Sequence, residues 1–127
     1  MKQAKTVLLV EDDDFSVFLA TMVLKTLGVE GEPLRARHGR EALAILREAC
    51  LKASLPELVL LDLHMPEMDG FEFLAELQEW PGLDCAAMKV IVLSSSLCSL
   101  ELARTCGSPV IGCIEKPLTT GKLAGFL

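Results

Sequence analysis

The sequence lacks any apolar run that could cross a membrane. A spanning helix needs about 18 consecutive residues with few charges, and no stretch of the 127 residues approaches that length without charged side chains. The first residues, Met1 to Gln3, lead directly into a short apolar run rather than into a signal peptide. We therefore expect a soluble, cytoplasmic protein that makes no contact with a membrane.

Clusters of basic residues are also missing. The chain carries 12 Lys and Arg against 18 Asp and Glu, which gives a formal net charge of −6. Proteins that bind the phosphate backbone of DNA or RNA present a basic patch. Direct binding to nucleic acid is therefore not expected.

The cysteines form no Cys-x-x-Cys pair, and their number is odd. The five are Cys50, Cys85, Cys98, Cys106 and Cys113. Zinc sites and disulfide frameworks use paired cysteines at characteristic spacings. We interpret these cysteines as small core residues of a protein in the reducing cytosol.

The sequence contains enough apolar material for one hydrophobic core. Apolar residues make up 51% of the 127 residues, and this length is typical of one domain. The composition favours a folded globular chain over a disordered one, and we predict a single domain that spans residues 1–127.

Short apolar runs recur along the chain and predict strands. Residues 7–10, 58–61, 90–93 and 110–114 are rich in Val, Leu and Ile and do not alternate with polar residues. Such runs are typical of strands that are covered on both faces. Residues 33–38 predict a weaker strand, and their mixed polarity suits an edge position.

Segments with helical periodicity separate these strands. In the first, Phe15, Phe18, Leu19, Met22 and Val23 recur at helical spacing. Gly28 is expected to end this helix. Further helices are predicted after Gly39, from Phe71 to about Trp80, from about Ser99 to Cys106 and from Thr119.

Strand and helix alternate five times, which predicts an α/β fold with a parallel sheet covered by helices on both faces. In such a sheet the strands end at the same edge, where ligands bind. The residues expected at that edge are Glu11, Asp12, Asp62, Ser94, Ser95 and Lys116, with Asp13 as a further candidate.

These side chains suit phosphoryl chemistry at a metal. Crowded carboxylates repel each other unless a cation lies among them, and Mg²⁺ prefers carboxylate, water and phosphate oxygens. The metal, Lys116 and a serine hydroxyl would together receive a phosphoryl group. A carboxylate beside the metal could accept it as an aspartyl phosphate.

Four motifs carry a resemblance to a known family. The stretches LLVEDD, LLDLHMPEMDG, VIVLSSS and EKP are similar, in order and spacing, to the response-regulator receiver domains of two-component signalling. ARHGREAL resembles the family's entry into its second helix, and SSSL with IEKPLT resembles stand-alone receivers of the chemotaxis-regulator size. The resemblance implies a doubly wound (βα)5, flavodoxin-like fold with strand order 2-1-3-4-5.

The resemblance also implies a role for each site residue. Asp62 would accept the phosphoryl group from a phosphohistidine on a sensor histidine kinase or a histidine phosphotransfer protein. Asp12 would bind Mg²⁺ directly and Glu11 through water, together with Asp62 and the backbone carbonyl of His64. In this family the Lys116–Pro117 bond is usually cis.

The remaining roles concern the phosphoryl group and the switch. Ser94 would donate its hydroxyl to a phosphoryl oxygen, Ser95 its backbone N–H, and Lys116 would form an ion pair. Added charge would draw Ser94 inward and move the region between the fourth strand and the fourth helix, which a partner reads. Most receivers carry an aromatic residue three positions before the lysine, where this chain has Cys113.

Other interpretations stay open. Asp13 and Asp14 are expected to be a solvated helix start, and His38 a loop residue. A phosphohydrolase of the haloacid-dehalogenase type also uses an aspartyl phosphate, but its Asp-x-Asp motif differs from Asp62-Leu63-His64. A receiver-like module that signals without phosphorylation is a second alternative.

We expect the chain to catalyse only its own phosphorylation and dephosphorylation, as a monomer or weak dimer. We expect no segment after Leu127 that binds DNA. Output would therefore pass through an unknown downstream protein, unless the chain is a fragment of a larger regulator or hybrid kinase.

Overall fold

One parallel sheet with the strand order β2-β1-β3-β4-β5 forms the centre of the protein. The computed structural model describes residues 6–29, 31–63, 65, 67–80, 88–94 and 110–126. The strands are β1 Val7–Val10, β2 Leu34–Ala36, β3 Leu58–Asp62, β4 Lys89–Ser94 and β5 Val110–Glu115. All four strand pairings are parallel. The predicted order is confirmed, and the weakest predicted strand lies at an edge as expected.

Four helices lie between or after these strands in the described residues. They are α1 Asp14–Thr26, α2 Gly39–Leu51, α3 Gly70–Glu79 and α4 Thr120–Ala124. Each corresponds to a helix predicted from periodicity. The helix predicted from about Ser99 to Cys106 lies outside the described residues.

The sheet separates two hydrophobic clusters. Alternate residues of β1 and β3 point to opposite faces, so Leu8 and Val59 contribute to one cluster and Leu9 and Leu60 to the other. Helices α2 and α3 cover the first face, and α1 and α4 cover the second. Because both faces are buried, the strand sequences are apolar without alternation.

Helix α1 buries only part of the apolar series read in the sequence. Phe15, Phe18 and Met22 are 65%, 62% and 48% exposed. Val23 of that series is buried, together with Ala20 and Leu24, which the series did not include. This helix is apolar around most of its circumference, so spacing alone could not decide which side faces the sheet.

Gly28 ends α1 as predicted. Its φ is +85°, a left-handed conformation that glycine adopts without a steric penalty. The N–H of Gly28 donates to Lys25 O at 3.1 Å, and the N–H of Val29 donates to Leu24 O at 3.0 Å. These two bonds form the Schellman motif and satisfy the last carbonyls of the helix.

Two of the five cysteines lie in the described part of the chain. Cys50 and Cys113 are partly buried, and Cys113 packs against the cluster beneath α2 and α3. Cys85, Cys98 and Cys106 fall outside the described residues. Across the described ranges, none of the helices combines the length and apolar character that crossing a bilayer requires.

Candidate phosphorylation site

The strand ends meet at one edge of the sheet, as the sequence predicted. Asp62 is the last residue of β3 and pairs in register with Leu93, directly before Ser94 at the end of β4. Glu11 follows β1 directly, and its N–H donates to Ala36 O at 2.9 Å. Lys116 follows β5, and its N–H donates to Ser94 O at 2.7 Å. The backbone therefore brings four segments together over a short distance.

Three carboxylates form the acidic part of this site. Glu11, Asp12 and Asp62 each offer an oxygen, and these oxygens lie within 4.8 Å of one another. Glu11 and Asp62 are each only 5% exposed, whereas Asp12 is open to solvent. A half-open set of hard oxygen donors fits Mg²⁺, which keeps several waters when a protein binds it.

Lys116 supplies the positive charge within the cluster. Its Nζ donates to Glu11 Oε1 at 2.5 Å and lies 3.5 Å from Asp62 Oδ2. The Lys116–Pro117 peptide bond is cis, as the resemblance implied. The ammonium group thus touches both the nearest acid and the predicted acceptor.

The electrostatics of the cluster indicate that one ammonium does not balance three carboxylates. Burial, and then the hydrogen bond with Asp62, raise the pKa of Glu11. Loss of solvent, and then the hydrogen bond with Glu11, raise the pKa of Asp12. Burial lowers the pKa of Lys116, but the hydrogen bond with Glu11 and the charges of Asp62 and Glu11 outweigh it and raise the value overall. A further cation at this position would relieve the repulsion between the acids.

Asp13 and Asp14 belong to the helix start, as predicted. Asp13 is the N-cap of α1, and its carboxylate accepts from Ser16 N at 3.0 Å and from Ser16 Oγ at 2.8 Å. These hydrogen bonds lower the pKa of Asp13. Asp14 lies in the first turn of α1, where negative charge favours the helix dipole.

Helix α3 begins directly against the backbone of Asp62. The N–H of Gly70 donates to Leu63 O at 3.0 Å, and a Cβ at this position would lie 2.7 Å from Asp62 O. Only glycine fits such an approach without moving the strand end. Asp69 fixes the helix start through a capping box with Glu72.

Two predicted site residues lie outside the described part of the chain. They are His64, whose carbonyl was predicted to bind the metal, and Ser95, whose N–H was predicted to face the phosphoryl group. Ser94 is described, and it is fully buried at the end of β4. The structure therefore brings together Glu11, Asp12, Asp62, Ser94 and Lys116.

Sequence reasoning missed a role for His38. Its Nδ1 accepts from Glu41 N at 3.2 Å and caps α2, while its Nε2 lies 3.3 Å from Glu67 Oε2. Histidine is not among the preferred N-cap residues, so this contact could not be predicted from residue type. The Gly39 that follows, at the predicted start of the helix, was the available signal.

Arg35 was also missed. Arg35 lies in β2, next to β1, and its guanidinium contacts the backbone carbonyls of Glu11 and Asp12. The only indication in the sequence was the positive charge of Arg35 itself, in a strand predicted to lie beside β1.

Comparison with known proteins establishes the family. Residues 7–126 match the family described as response regulator receiver domain. The chain is 35% identical over 114 residues to the probable methanogenesis regulatory protein FilR2 of Methanothrix harundinacea, over 89% of this chain and 72% of that protein. The chain belongs to the response regulator receiver family of two-component systems.

Solved structures share the fold. The phosphorylated cyanobacterial phytochrome response regulator RcpA is 33% identical, with a TM-score of 0.78 over 98% of this chain and 89% of that chain. The Mn²⁺-bound form of response regulator Rcp1 is 32% identical, with a TM-score of 0.75 over 96% of this chain and 88% of that chain. Rcp1 is a protein of Synechocystis.

Membership of this family argues against the two other functions that the sequence left open. Receiver domains are generally signalling modules that receive phosphoryl groups from sensor kinases and bind Mg²⁺ at an acidic pocket. A phosphohydrolase of the haloacid-dehalogenase type and a module independent of phosphorylation are not favoured.

Proposed function

We propose that Asp62 is the phosphoacceptor of this receiver domain and that its phosphorylation switches the binding of a downstream protein. The observation that carries the proposal is the position of Asp62: it ends the central strand β3, within reach of Lys116 Nζ at 3.5 Å and beside Glu11 and Asp12. An Oδ of Asp62 would attack the phosphorus of a phosphohistidine. The new P–O bond forms as the P–N bond breaks, and the imidazole leaves with the electron pair.

Glu11, Asp12 and Asp62 are the residues that would hold Mg²⁺ in this protein, with the carbonyl of His64. The ion would neutralise charge on the phosphoryl oxygens. The close set of carboxylate oxygens supports this assignment, and so does the Mn²⁺-bound form of Rcp1.

Lys116 and Ser94 would recognise the phosphoryl group once it is on Asp62. The Lys116 ammonium would exchange part of its contact with Glu11 for a phosphoryl oxygen, because a dianionic group attracts it more strongly than one carboxylate. The hydroxyl of Ser94 and the N–H of Ser95 would donate to the other oxygens. The phosphorylated form of RcpA supports a phosphorylated state for this fold.

The donor would be a sensor histidine kinase or a histidine phosphotransfer protein, and the reader a protein that binds the region following β4. We infer that the domain catalyses only its own phosphoryl transfer and hydrolysis, in the cytoplasm. The odd number of cysteines and the lack of a Cys-x-x-Cys pair support a reducing compartment.

Phosphorylation by acetyl phosphate tests the acceptor. With Mg²⁺ present, intact mass spectrometry should show the gain of one phosphoryl group by the native chain and no gain by Asp62→Asn. Asp69→Asn is the matched control, because Asp69 caps α3 outside the acidic cluster and asparagine is also a good cap. This control should be phosphorylated like the native chain.

Two results would contradict the proposal. A phosphoryl group that is still acquired by Asp62→Asn would place the acceptor elsewhere. Steady turnover of simple phosphomonoesters would favour the phosphohydrolase instead.

A further inference from the structure

The side chain of Arg35 reaches from the edge strand β2 to the acidic turn between β1 and α1. Its Nε and Nη2 each lie 3.4 Å from the carbonyl oxygen of Glu11, and Nη2 donates to the carbonyl of Asp12 at 3.2 Å. Its Nη1 forms an ion pair with Asp14 Oδ1 at 2.7 Å. One guanidinium therefore contacts three of the four consecutive acidic residues, two of them through the backbone.

The turn that Arg35 contacts lies between two regular elements. Strand β1 ends at Val10, and the bond from Glu11 N to Ala36 O continues its pairing with β2 by one residue. Helix α1 begins at Asp14. Arg35 pairs in register with Leu9, so a long side chain can extend past the end of β1 and reach these carbonyls.

The chemistry of arginine suits this position better than that of lysine. A guanidinium is planar and carries five N–H donors in a fixed fork, whereas an ammonium is a compact point charge. Three separate acceptors lie on three of its nitrogens here, and the side chain is only 24% exposed. Arg35 thus fixes the path of the backbone between β1 and α1 as well as supplying positive charge.

We propose that Arg35 is a positioning residue for the metal-binding acids. By holding the carbonyls of Glu11 and Asp12, it orients the backbone from which both residues present their carboxylates toward Asp62. This inference rests on the proposed metal role of Glu11 and Asp12. Arg35 itself touches neither the metal nor the phosphoryl group.

A positioning role of Arg35 and a purely electrostatic role predict opposite effects of its substitution on the affinity for Mg²⁺. A positive charge near a cation site repels the cation, so removal of that charge alone would strengthen Mg²⁺ binding. Loss of the hydrogen bonds to the Glu11 and Asp12 carbonyls would instead weaken it. Groups that orient metal ligands typically contribute a factor of about 10 to 100 in affinity.

The test is calorimetric titration of the unphosphorylated full chain with Mg²⁺. Arg35→Met removes the charge and the donors, and Arg35→Lys keeps the charge but removes the fork. We expect both variants to raise the dissociation constant for Mg²⁺ by about tenfold. The matched control is Arg37→Met, which removes a charge from an exposed arginine two residues away and should bind Mg²⁺ like the native chain or slightly more tightly.

Amide hydrogen exchange of the metal-free chains gives a second readout. The amides of Asp12 to Asp14 should exchange faster in both Arg35 variants than in Arg37→Met, while the amides of β3 keep their protection. Should Arg35→Met fail to fold, Arg35→Lys decides the matter alone. Native Mg²⁺ affinity in Arg35→Lys, or tighter binding in Arg35→Met, would overturn the proposal.

Failure of the proposed function would look different. A native chain that binds Mg²⁺ but gains no phosphoryl group from acetyl phosphate contradicts the acceptor role of Asp62. The comparison of Arg35 variants by metal titration does not depend on that result.

Discussion

The carboxyl group of Glu11 is buried and that of Asp12 is open to solvent, and the repulsion between these neighbouring acids makes stability depend on pH. Their pKa values in the folded protein are raised, by burial first and by neighbouring acids second. These two groups therefore bind more protons in the folded metal-free protein than in the unfolded chain in the acidic range. The contribution of these groups to stability is fully present below their unfolded pKa values and is lost as the pH rises through the folded ones.

We therefore expect Asp12→Asn to flatten this part of the pH profile in the metal-free protein. Denaturant unfolding without metal, measured from mildly acidic to neutral pH, should show a smaller loss of stability in the variant than in the native chain. Asp69→Asn should leave the profile unchanged. A native and an Asp12→Asn profile that run parallel would show that the repulsion at Asp12 is negligible.

Individual site residues differed in how far the sequence could predict them. Glu11, Asp62, Ser94 and Lys116 each follow an apolar strand, and parallel strands end at a common edge, so their meeting could be predicted. Arg35 could not be predicted in this way, because its contacts depend on the length of a three-residue strand and on the path of the next turn.

Helix α2 begins with a contact that links it to the loop after β3. His38 caps the helix through Nδ1 and pairs with Glu67 through Nε2, and the N–H of Gly39 donates to Met68 O at 2.9 Å. The cap requires an unprotonated Nδ1, which leaves the proton on Nε2 to face the carboxylate. The helix start and the loop beside Asp62 are therefore held together.

Substitution of His38 should show how much its N-cap contributes to the free energy of unfolding. Because a lost N-cap typically costs about 1 kcal/mol, His38→Ala should lower the free energy of unfolding by about that amount. His38→Asn can still accept from Glu41 N–H and should recover most of the loss. Chemical denaturation checks both variants, and equal stability of the two would mean that the cap contributes nothing measurable.

The positions of the helices were predicted more reliably than the side of each helix that is buried. The four described helices were all expected from periodicity, but in α1 the spacing selected Phe15, Phe18 and Met22, which lie on the exposed side. In a helix with apolar residues on several sides, packing against distant elements decides which side is buried, and here the buried residues of α1 share a cluster with strand residues and with Leu123 of α4. This packing is not local in the sequence.

At the scale of the whole molecule, residues that follow α4 pack against the edge of the sheet. The ring of Phe126, beyond α4, lies against Gly112 in β5, where a Cβ would overlap it. Phe126 is partly buried against the cluster beneath α1 and α4. The absence of a side chain at position 112 thus permits the end of the chain to dock.

A double-mutant cycle measures this docking. Gly112→Ala should displace the Phe126 ring and lower the free energy of unfolding by about 1–3 kcal/mol, the usual range for overpacking. In a Phe126→Ala background the same substitution should cost much less, because the overlapping ring is gone. Additive losses in the cycle would contradict a direct contact, and denaturant melts of the four chains provide the numbers.

The bond between Lys116 and Glu11 joins residues 105 positions apart. During synthesis the acids of β1 and β3 emerge long before the ammonium that lies among them, because β5 is the last strand of the sheet. Until β5 has been made, Glu11 and Asp62 lack the ammonium of Lys116 that lies beside both of them in the folded protein. The charge balance of the site is thus completed only after β5 has been made and has paired with β4.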